Sequence, residues 1–160
     1  MLTTQVCKGF EKQIAALFQA SRDLQGIGLA AKTYNWPGLH KVAMSMSHDA
    51  DKEEHSAIKY IRDYGDDLLD LPQCRSASCE WKIYPEMWKQ VQAIAVATQQ
   101  AWNELSKMSE DAGDMDAAEY IDKRLKSGVT DILHLNRWIH YLDQADKDVA
   151  AWRVFDNKRR

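Results

Sequence analysis

The side chains best suited to chemistry in this 160-residue sequence are carboxylates in two predicted helices. Glu53 falls at a core-facing position, where a charged group is unusual. Asp131 stands beside Gly128, in a gap of small and polar residues within an otherwise apolar stripe. Helical bundles place metal sites in such gaps, using side chains from facing helices. Glu53 and Asp131 are therefore candidate metal-site positions in the bundle core. The alternative is a buried Glu53 carboxyl that hydrogen-bonds Ser21, Thr98 or Asp131, with a raised pKa.

The histidines and methionines of the second predicted helix offer weaker candidates. His40, His48 and His55 are spaced by eight and seven residues, steps too long for joint ligation of one metal. Met44 and Met46 are candidates for axial ligands of a haem iron, because methionine can serve as such a ligand. A methionine on a bundle helix, however, more commonly packs in a core or an interface. We therefore expect no haem.

Long apolar stripes predict the helices that position these side chains. The clearest stripe runs from Ala118 to Leu142 in steps of three and four residues, which follows one helical face for about seven turns. A helix this one-sided needs partner helices with matching stripes. Comparable patterns predict helices over residues 3–33, 39–64, 86–110, 115–143 and 149–157.

The segment 66–85 interrupts the helical pattern with Pro72, Ser76, Ser78 and Pro85. About 20 residues is long for a loop within a compact domain, and such a length can carry the chain from one end of a bundle to the other. The second and third helices would then be parallel. We predict an all-α fold, namely a four-helix bundle with one long crossover and a short C-terminal fifth helix, in a single domain of residues 1–160.

Bulk composition excludes several classes of protein. The formal net charge is −3 and the basic tail Lys158–Arg160 is short, so no nucleic-acid partner is expected. No apolar run is long enough to span a bilayer, and residues 1–9 lack the apolar run of a signal peptide. The three cysteines include Cys74 and Cys79, which could bridge a loop or remain thiols in a reducing cytoplasm. We expect a cytoplasmic protein without a membrane partner.

The order of helices and several local stretches resemble ferritins. The stretch from Ser47-His48-Asp49 to Tyr64-Gly65 resembles the ferritin segment that carries a Glu-Glu-x-x-His run and ends in glycine. Asn103-Glu104-Leu105 is similar to a triplet near the end of the third ferritin helix. The stretch from Trp152 to Asp156 resembles the aromatic-then-Asp segment of the fifth. The resemblance covers nearly the whole chain.

The resemblance also implies where a di-iron ferroxidase centre would lie. The first-helix glutamate falls at Leu17, or at Gln19 if the register slips, and the third-helix glutamate falls at Ala95. The Glu-x-x-His run falls at Ala50 and Glu53, while a shift of two residues puts His55 in the histidine place and Lys52 in the glutamate place. The fourth-helix ligands fall around Ser127, Gly128, Thr130 and Asp131. Because most of these residues cannot bind iron, we predict no ferroxidase activity, as in ferritin light chains.

Other ferritin features could persist without that centre. Glu119 and Asp122 match acidic residues that line ferritin channels, and their spacing places them on one helical face. Alternatively, they form a solvated acidic start to the fourth helix. His48 and Asp49, with Ser45 and Lys52, match cavity-facing positions that nucleate ferric mineral.

These expectations combine into a ferritin-like cage subunit that stores ferric iron without its own ferroxidase site. The expected assembly is a homo-oligomer of about 24 chains, as in ferritins, with possible co-assembly with a ferroxidase-competent ferritin. The alternatives are a metal-free structural protein with a ferritin fold and an oxidase with relocated ligands that depends on Glu53. We expect core or subunit contacts at most of the tryptophans, namely Trp81, Trp88, Trp102, Trp138 and Trp152.

Overall fold

The computed structural model describes residues 2–65, 75–77 and 83–160. The described residues form the helices α1 (Thr4–Thr33), α2 (Pro37–Tyr64), α3 (Tyr84–Asp111), α4 (Met115–Gln144) and α5 (Val149–Asn157). α2 and α3 each begin two residues before the predicted start. The reason is Pro37 and Pro85, since proline is favoured in the first helical turn, where an N–H has no intrahelical partner.

Contacts between helix ends fix the topology of the bundle. The N–H of Leu2 donates to the carbonyl of Tyr64 at 3.2 Å, so α1 and α2 are antiparallel. Gly9 of α1 lies against Leu105 and Met108 near the end of α3, so α1 and α3 are also antiparallel. α2 and α3 therefore run in the same direction, so the end of α2 and the start of α3 lie at opposite ends of the bundle. The predicted all-α bundle with one crossover and a short fifth helix is confirmed.

The apolar interior is divided into two cores. One core lies at the end of the bundle that carries α5 and includes Leu24, Leu39, Trp88, Leu135 and Trp152. The other lies at the opposite end and includes Phe10, Leu17, Ala57, Trp102 and Ile121. On α4, the residues between Ile121 and Leu135 include the half-buried Leu125, Gly128 and Ile132. The apolar packing is thus weakest in the middle of the bundle, where the sequence shows its gap.

The fifth helix closes one end of the bundle through a buried carboxylate. Asp156 is 1% exposed and accepts hydrogen bonds from the backbone N–H groups of Gly38 and Leu39, both at 2.9 Å, and from the Tyr84 hydroxyl at 3.0 Å. These backbone groups belong to the first turn of α2, whose N–H groups have no partner within the helix. Asp156 therefore caps α2 and attaches α5 to the starts of α2 and α3.

Several predictions concern residues 66–74 and 78–82, which lie outside the described residues. They include the state of Cys74 and Cys79 and the packing of Trp81. Of the other tryptophans, Trp88, Trp102 and Trp152 are buried and Trp138 is half-buried. Among the helices of the described segments, none is long and apolar enough to cross a membrane.

Candidate functional site at the bundle centre

A cavity of about 80 Å³ lies between the two apolar cores. Four helices contribute to its wall. The positions that the resemblance assigns to a metal site meet there: Leu17 from α1, Ala50 and Glu53 from α2, Ala95 from α3, and Gly128 and Asp131 from α4. The alternative or neighbouring positions are not part of the cavity wall, namely Gln19, Lys52, His55, Ser127 and Thr130. That these residues form a functional site stays a prediction.

Glu53 is the half-buried carboxylate of this cavity. Its Oε2 accepts a hydrogen bond from the indole Nε1 of Trp102 at 3.2 Å. The prediction that Glu53 hydrogen-bonds Ser21, Thr98 or Asp131 was therefore wrong. Ser21 instead pairs with Ser47 at 3.0 Å, and the Thr98 hydroxyl donates to its own helix, to the carbonyl of Ile94.

The electrostatic surroundings of Glu53 favour its neutral form. Burial raises the pKa of Glu53, and the nearby carboxylates of Asp49 and Asp131 raise it further. The hydrogen bond from Trp102 and the positive charge of Arg124 act in the opposite direction, but burial dominates. The sequence-based expectation of a raised pKa agrees in direction.

Arg124 is the cation of the site, and the sequence analysis missed it. Its guanidinium donates to the Ser56 hydroxyl at 2.7 Å and to the Tyr120 carbonyl at 3.1 Å, and lies 3.6 Å from the centre of the Tyr120 ring. Its position in the sequence could have indicated this role. Arg124 lies four residues before Gly128, and residues separated by four lie on the same helical face.

Asp49 and Asp131 form the more exposed part of the cavity wall, one from α2 and one from α4. Burial raises the pKa of Asp131, the charge of Asp49 raises it further, and His134 lowers it. Asp49, which the sequence matched to a mineral-nucleating position, shares the cavity with Glu53. His48 is exposed, and the cavity wall does not include it.

The gap at Gly128 is partly filled by Gln99 from α3. The Gln99 amide donates to the Leu125 carbonyl at 2.8 Å, and a methyl group added to Gly128 would overlap the end of the Gln99 side chain. The small residue on α4 thus has a packing role, because it admits a long side chain from the neighbouring helix.

The donors around the cavity do not match those of a di-iron centre. Such a centre needs carboxylates from several helices together with imidazole. Here Leu17 and Ala95 carry no donor atom, the wall contains no histidine, and Arg124 brings a positive charge. Within residues 2–65, 75–77 and 83–160, no group of three or more His, Cys, Asp and Glu side chains is arranged to hold a metal ion.

The pair proposed for a channel lies elsewhere, near the start of α4. Glu119 and Asp122 are both exposed, and neither contributes to the cavity. Glu119 forms an ion pair with Lys123 at 3.3 Å. Lys123 therefore compensates part of the negative charge of this acidic pair within a single chain.

Solved structures of ferritins share this fold over almost the whole chain. An open-pore ferritin from the hyperthermophilic archaeon Archaeoglobus fulgidus has a TM-score of 0.92 and 12% identity, covering 99% of this chain and 97% of that chain. A closed form of Archaeoglobus fulgidus ferritin, engineered by mutagenesis, has a TM-score of 0.90 and 13% identity, covering 99% and 96%.

At these identities the likeness defines the fold class, a ferritin-like four-helix bundle with a short fifth helix. No protein-family model matches the sequence, and no curated protein matches it either.

Proposed function

We propose that this chain is the subunit of a ferritin-like, hollow homo-oligomer that holds ferric iron without a ferroxidase centre of its own. The observation that carries the proposal is the shared fold, which covers 99% of this chain and 97% of an archaeal ferritin. The bundle thus matches the fold of that ferritin chain over nearly its whole length. By the same resemblance the assembly would contain about 24 copies in the cytoplasm, with each chain forming a single domain.

The composition of the cavity supports the absence of ferroxidase activity. Oxidation of Fe(II) by oxygen at a pair of irons needs hard, anionic ligands that hold both ions at once. Leu17 and Ala95 offer no ligand, and Arg124 places a fixed positive charge beside Glu53. A guanidinium repels ferrous ions at the point where carboxylates would have to attract them. We therefore propose storage and mineralisation, but not catalysis.

Iron would reach the interior of the shell by way of acidic surface residues. Glu119 and Asp122 are proposed to line a channel between subunits, where a ring of such pairs would concentrate cations. His48 and Asp49 are proposed to help nucleate mineral at the inner surface. Lys123 neutralises part of the charge of Glu119.

Assembly size and iron loading test the proposal together. The purified chain is sized by light scattering and then mixed with Fe(II) in air while the ferric absorbance and oxygen consumption are followed. We expect a hollow shell of about two dozen chains that accumulates ferric mineral slowly, without an initial fast phase. A small, iron-free species would refute cage storage, and fast consumption of oxygen at two irons per chain would refute the loss of the ferroxidase centre.

The second candidate is a metal-free structural protein with a ferritin fold, which co-assembles with a ferroxidase-competent ferritin. The Glu119–Lys123 ion pair favours this alternative, since it weakens the negative potential of the proposed channel. Co-expression with an active ferritin distinguishes the two. Mixed shells with no mineralisation by the pure chain would support the structural role.

A further inference from the structure

We propose that Tyr84 is a site of one-electron oxidation, where a phenoxyl radical forms as the hydroxyl proton passes to Asp156. The oxidant would be an oxygen-centred radical in solution, and the electron would reach it from Tyr84 through tryptophans of the surrounding core. The inference does not rest on the proposed storage function, because it concerns side chains within one chain and no iron.

A continuous group of indole and phenol rings lies at the end of the bundle that carries α5. Trp36 stacks on Tyr84 with ring centres 4.1 Å apart, and Trp88 and Trp152 each lie 6.3 Å from Tyr84. Trp138 lies 5.3 Å from Trp88. Four of the six tryptophans of the chain therefore belong to this group. Tryptophan and tyrosine are the aromatic side chains that lose one electron most readily, so electrons can pass between rings at these short separations.

Trp152 indicates that more than packing selects indole rings here. Its side chain is buried, and its Nε1 finds no hydrogen-bond partner within the segments that the structure describes. A buried donor without a partner costs free energy, which an apolar side chain would avoid. Such a group in a folded protein calls for an explanation, and a redox role is one that suits an indole.

Asp156 supplies the base that oxidation of Tyr84 requires. The Tyr84 hydroxyl donates to Oδ1 of Asp156 at 3.0 Å, and burial raises the pKa of Tyr84, so the hydroxyl keeps its proton until the ring is oxidised. A phenol that loses an electron becomes strongly acidic. In the proposed step the O–H bond of Tyr84 breaks and its proton binds Oδ1. The electron passes through the tryptophans to the radical in solution, which is reduced to an anion.

The charges beside the rings favour Tyr84 as the final site of oxidation. The guanidinium of Arg153 lies 3.6 Å from the centre of the Trp36 ring, and that of Arg159 lies 4.6 Å from the centre of the Trp138 ring. A fixed cation disfavours positive charge on the ring next to it. The ring of Tyr84 avoids this cost, because transfer of its proton to a carboxylate leaves a neutral radical.

Burial should make a radical on Tyr84 long-lived. Tyr84 is 1% exposed, so two such radicals cannot meet and couple to dityrosine, whereas the ring of Tyr64 is 58% exposed and can couple. Trp138 is half-buried and lies beside the exposed His134, so a small oxidant can reach it from solution. We therefore assign the entry of oxidising equivalents to Trp138 and their storage to Tyr84.

Photochemical oxidation of the full-length, iron-free protein tests the proposal. Tris(bipyridine)ruthenium(III), generated by a light flash in the presence of persulfate, is the one-electron oxidant, and electron paramagnetic resonance detects the radicals. We expect a tyrosyl signal that outlasts the signals of exposed tyrosines. Its formation should be slower in D₂O than in H₂O, because the O–H bond breaks in the step that forms it.

Matched variants identify the ring that carries the radical. Tyr84→Phe removes only a hydroxyl and should abolish the persistent signal, whereas Tyr64→Phe makes the same change on an exposed ring and should leave that signal unchanged. Trp88→Phe interrupts the path from Trp138 and should lower the yield severalfold. Asp156→Asn keeps the shape of the side chain without the base and should also lower the yield. Circular dichroism confirms that each variant is folded.

Four results would overturn the inference. A persistent signal in Tyr84→Phe would place the radical on another ring, and equal losses in Tyr84→Phe and Tyr64→Phe would place it at the surface. Equal rates of formation in H₂O and D₂O would remove proton transfer from the step. Absence of a persistent tyrosyl signal in the natural chain would remove the site altogether. If Tyr84→Phe does not fold, the comparison of the natural chain in H₂O and D₂O, together with Trp88→Phe, still decides the question.

Discussion

Glu53 shows how one side chain can make the stability of a bundle depend on pH. Its carboxylate lies between the two apolar cores, with an indole hydrogen bond and with two other carboxylates nearby. Burial favours the protonated form more strongly than Trp102 and Arg124 favour the ionised one. Ionisation of Glu53 is therefore less favourable in the folded chain than in the unfolded chain.

Glu53→Gln is expected to remove a pH-dependent loss of stability. Because the folded-state pKa of Glu53 is raised above 4.5, the folded chain holds the proton more tightly than the unfolded chain does. The free energy of unfolding should therefore fall as pH rises from the unfolded pKa through the folded one. Glutamine keeps an acceptor for Trp102 but has no proton to lose. The stability of the variant relative to the natural chain should increase over that interval and then level off.

Urea denaturation at pH values on both sides of the interval measures this difference. Glu104→Gln, which removes an exposed carboxylate of α3 outside the cavity wall, is the control. Parallel pH trends in the two variants would show that Glu53 is not the group responsible.

Arg124→Gln is expected to destabilise the chain by about 1–3 kcal/mol, since it removes two hydrogen bonds of a charged donor and a contact with the Tyr120 ring. Arg124 also lowers the pKa of Glu53, so its loss leaves that carboxylate less compensated. The cost of Arg124→Gln should thus be smaller in a Glu53→Gln background. A double-mutant cycle by chemical denaturation measures this coupling. Additive costs would mean that the two side chains act independently.

At the scale of the elements, the attachment of α5 depends on the carboxylate of Asp156, which accepts hydrogen bonds from three donors. Asp156→Ala would leave the Tyr84 hydroxyl and the first-turn N–H groups of α2 without their partner in a buried place. We expect a loss of about 3 kcal/mol or more, together with faster amide hydrogen exchange throughout α5.

Asp148→Ala is the matched control for this prediction. Asp148 caps α5 from an exposed position, where its side chain accepts from the N–H of Ala151 at 3.1 Å. Removal of such a cap costs about 1 kcal/mol. Similar losses in unfolding experiments on the two variants would show that Asp156 acts as an ordinary helix cap and not as the attachment point of α5.

The elements themselves were largely predictable, because side chains that face a core recur with the period of the helix. The stripe on α4 placed Ala118, Ile121, Leu135 and Leu142 in the interior, and all four are buried. The same periodicity placed Glu53 at the centre of the bundle. Local sequence was sufficient for these predictions, because each concerns only which side chains of one helix face the interior of the bundle.

The contacts between helices could not be predicted in the same way. Trp102 bonds Glu53 across 49 positions of sequence, and Asp156 bonds Gly38 across 118. Both contacts depend on the axial register and rotation of neighbouring helices, which the period of a single helix does not determine. Arg124 was missed for this reason, because its partner Ser56 belongs to α2.

At the scale of the whole molecule, the two apolar cores and the cavity between them suggest a division of roles. The cores hold the four helices together at both ends, so the middle of the bundle can tolerate carboxylates, a guanidinium and unfilled space. A fold of this kind keeps its outer shape when the central side chains change. The proposed formation of a shell therefore does not require a ferroxidase centre in the middle of the bundle.

The proposed channel gives a prediction for the assembled molecule. Glu119→Gln combined with Asp122→Asn removes the acidic pair on the exposed face of α4, and we expect ferric mineral to form several-fold more slowly at low ionic strength. The difference should shrink as salt is added, because the Debye length falls to about 8 Å at physiological ionic strength. Stopped-flow measurement of ferric absorbance after mixing with Fe(II) provides the rates.

Asp116→Asn is the control, since it removes an exposed charge from the first turn of the same helix without changing the pair. Lys123→Gln offers the opposite test. It releases Glu119 from its ion pair and should speed mineral formation if the channel attracts iron by charge. All variants must first give shells of the natural size by light scattering, so that a change in rate reports the path of iron and not the assembly. Unchanged rates in the double variant and in Lys123→Gln would mean that iron enters the shell by another route.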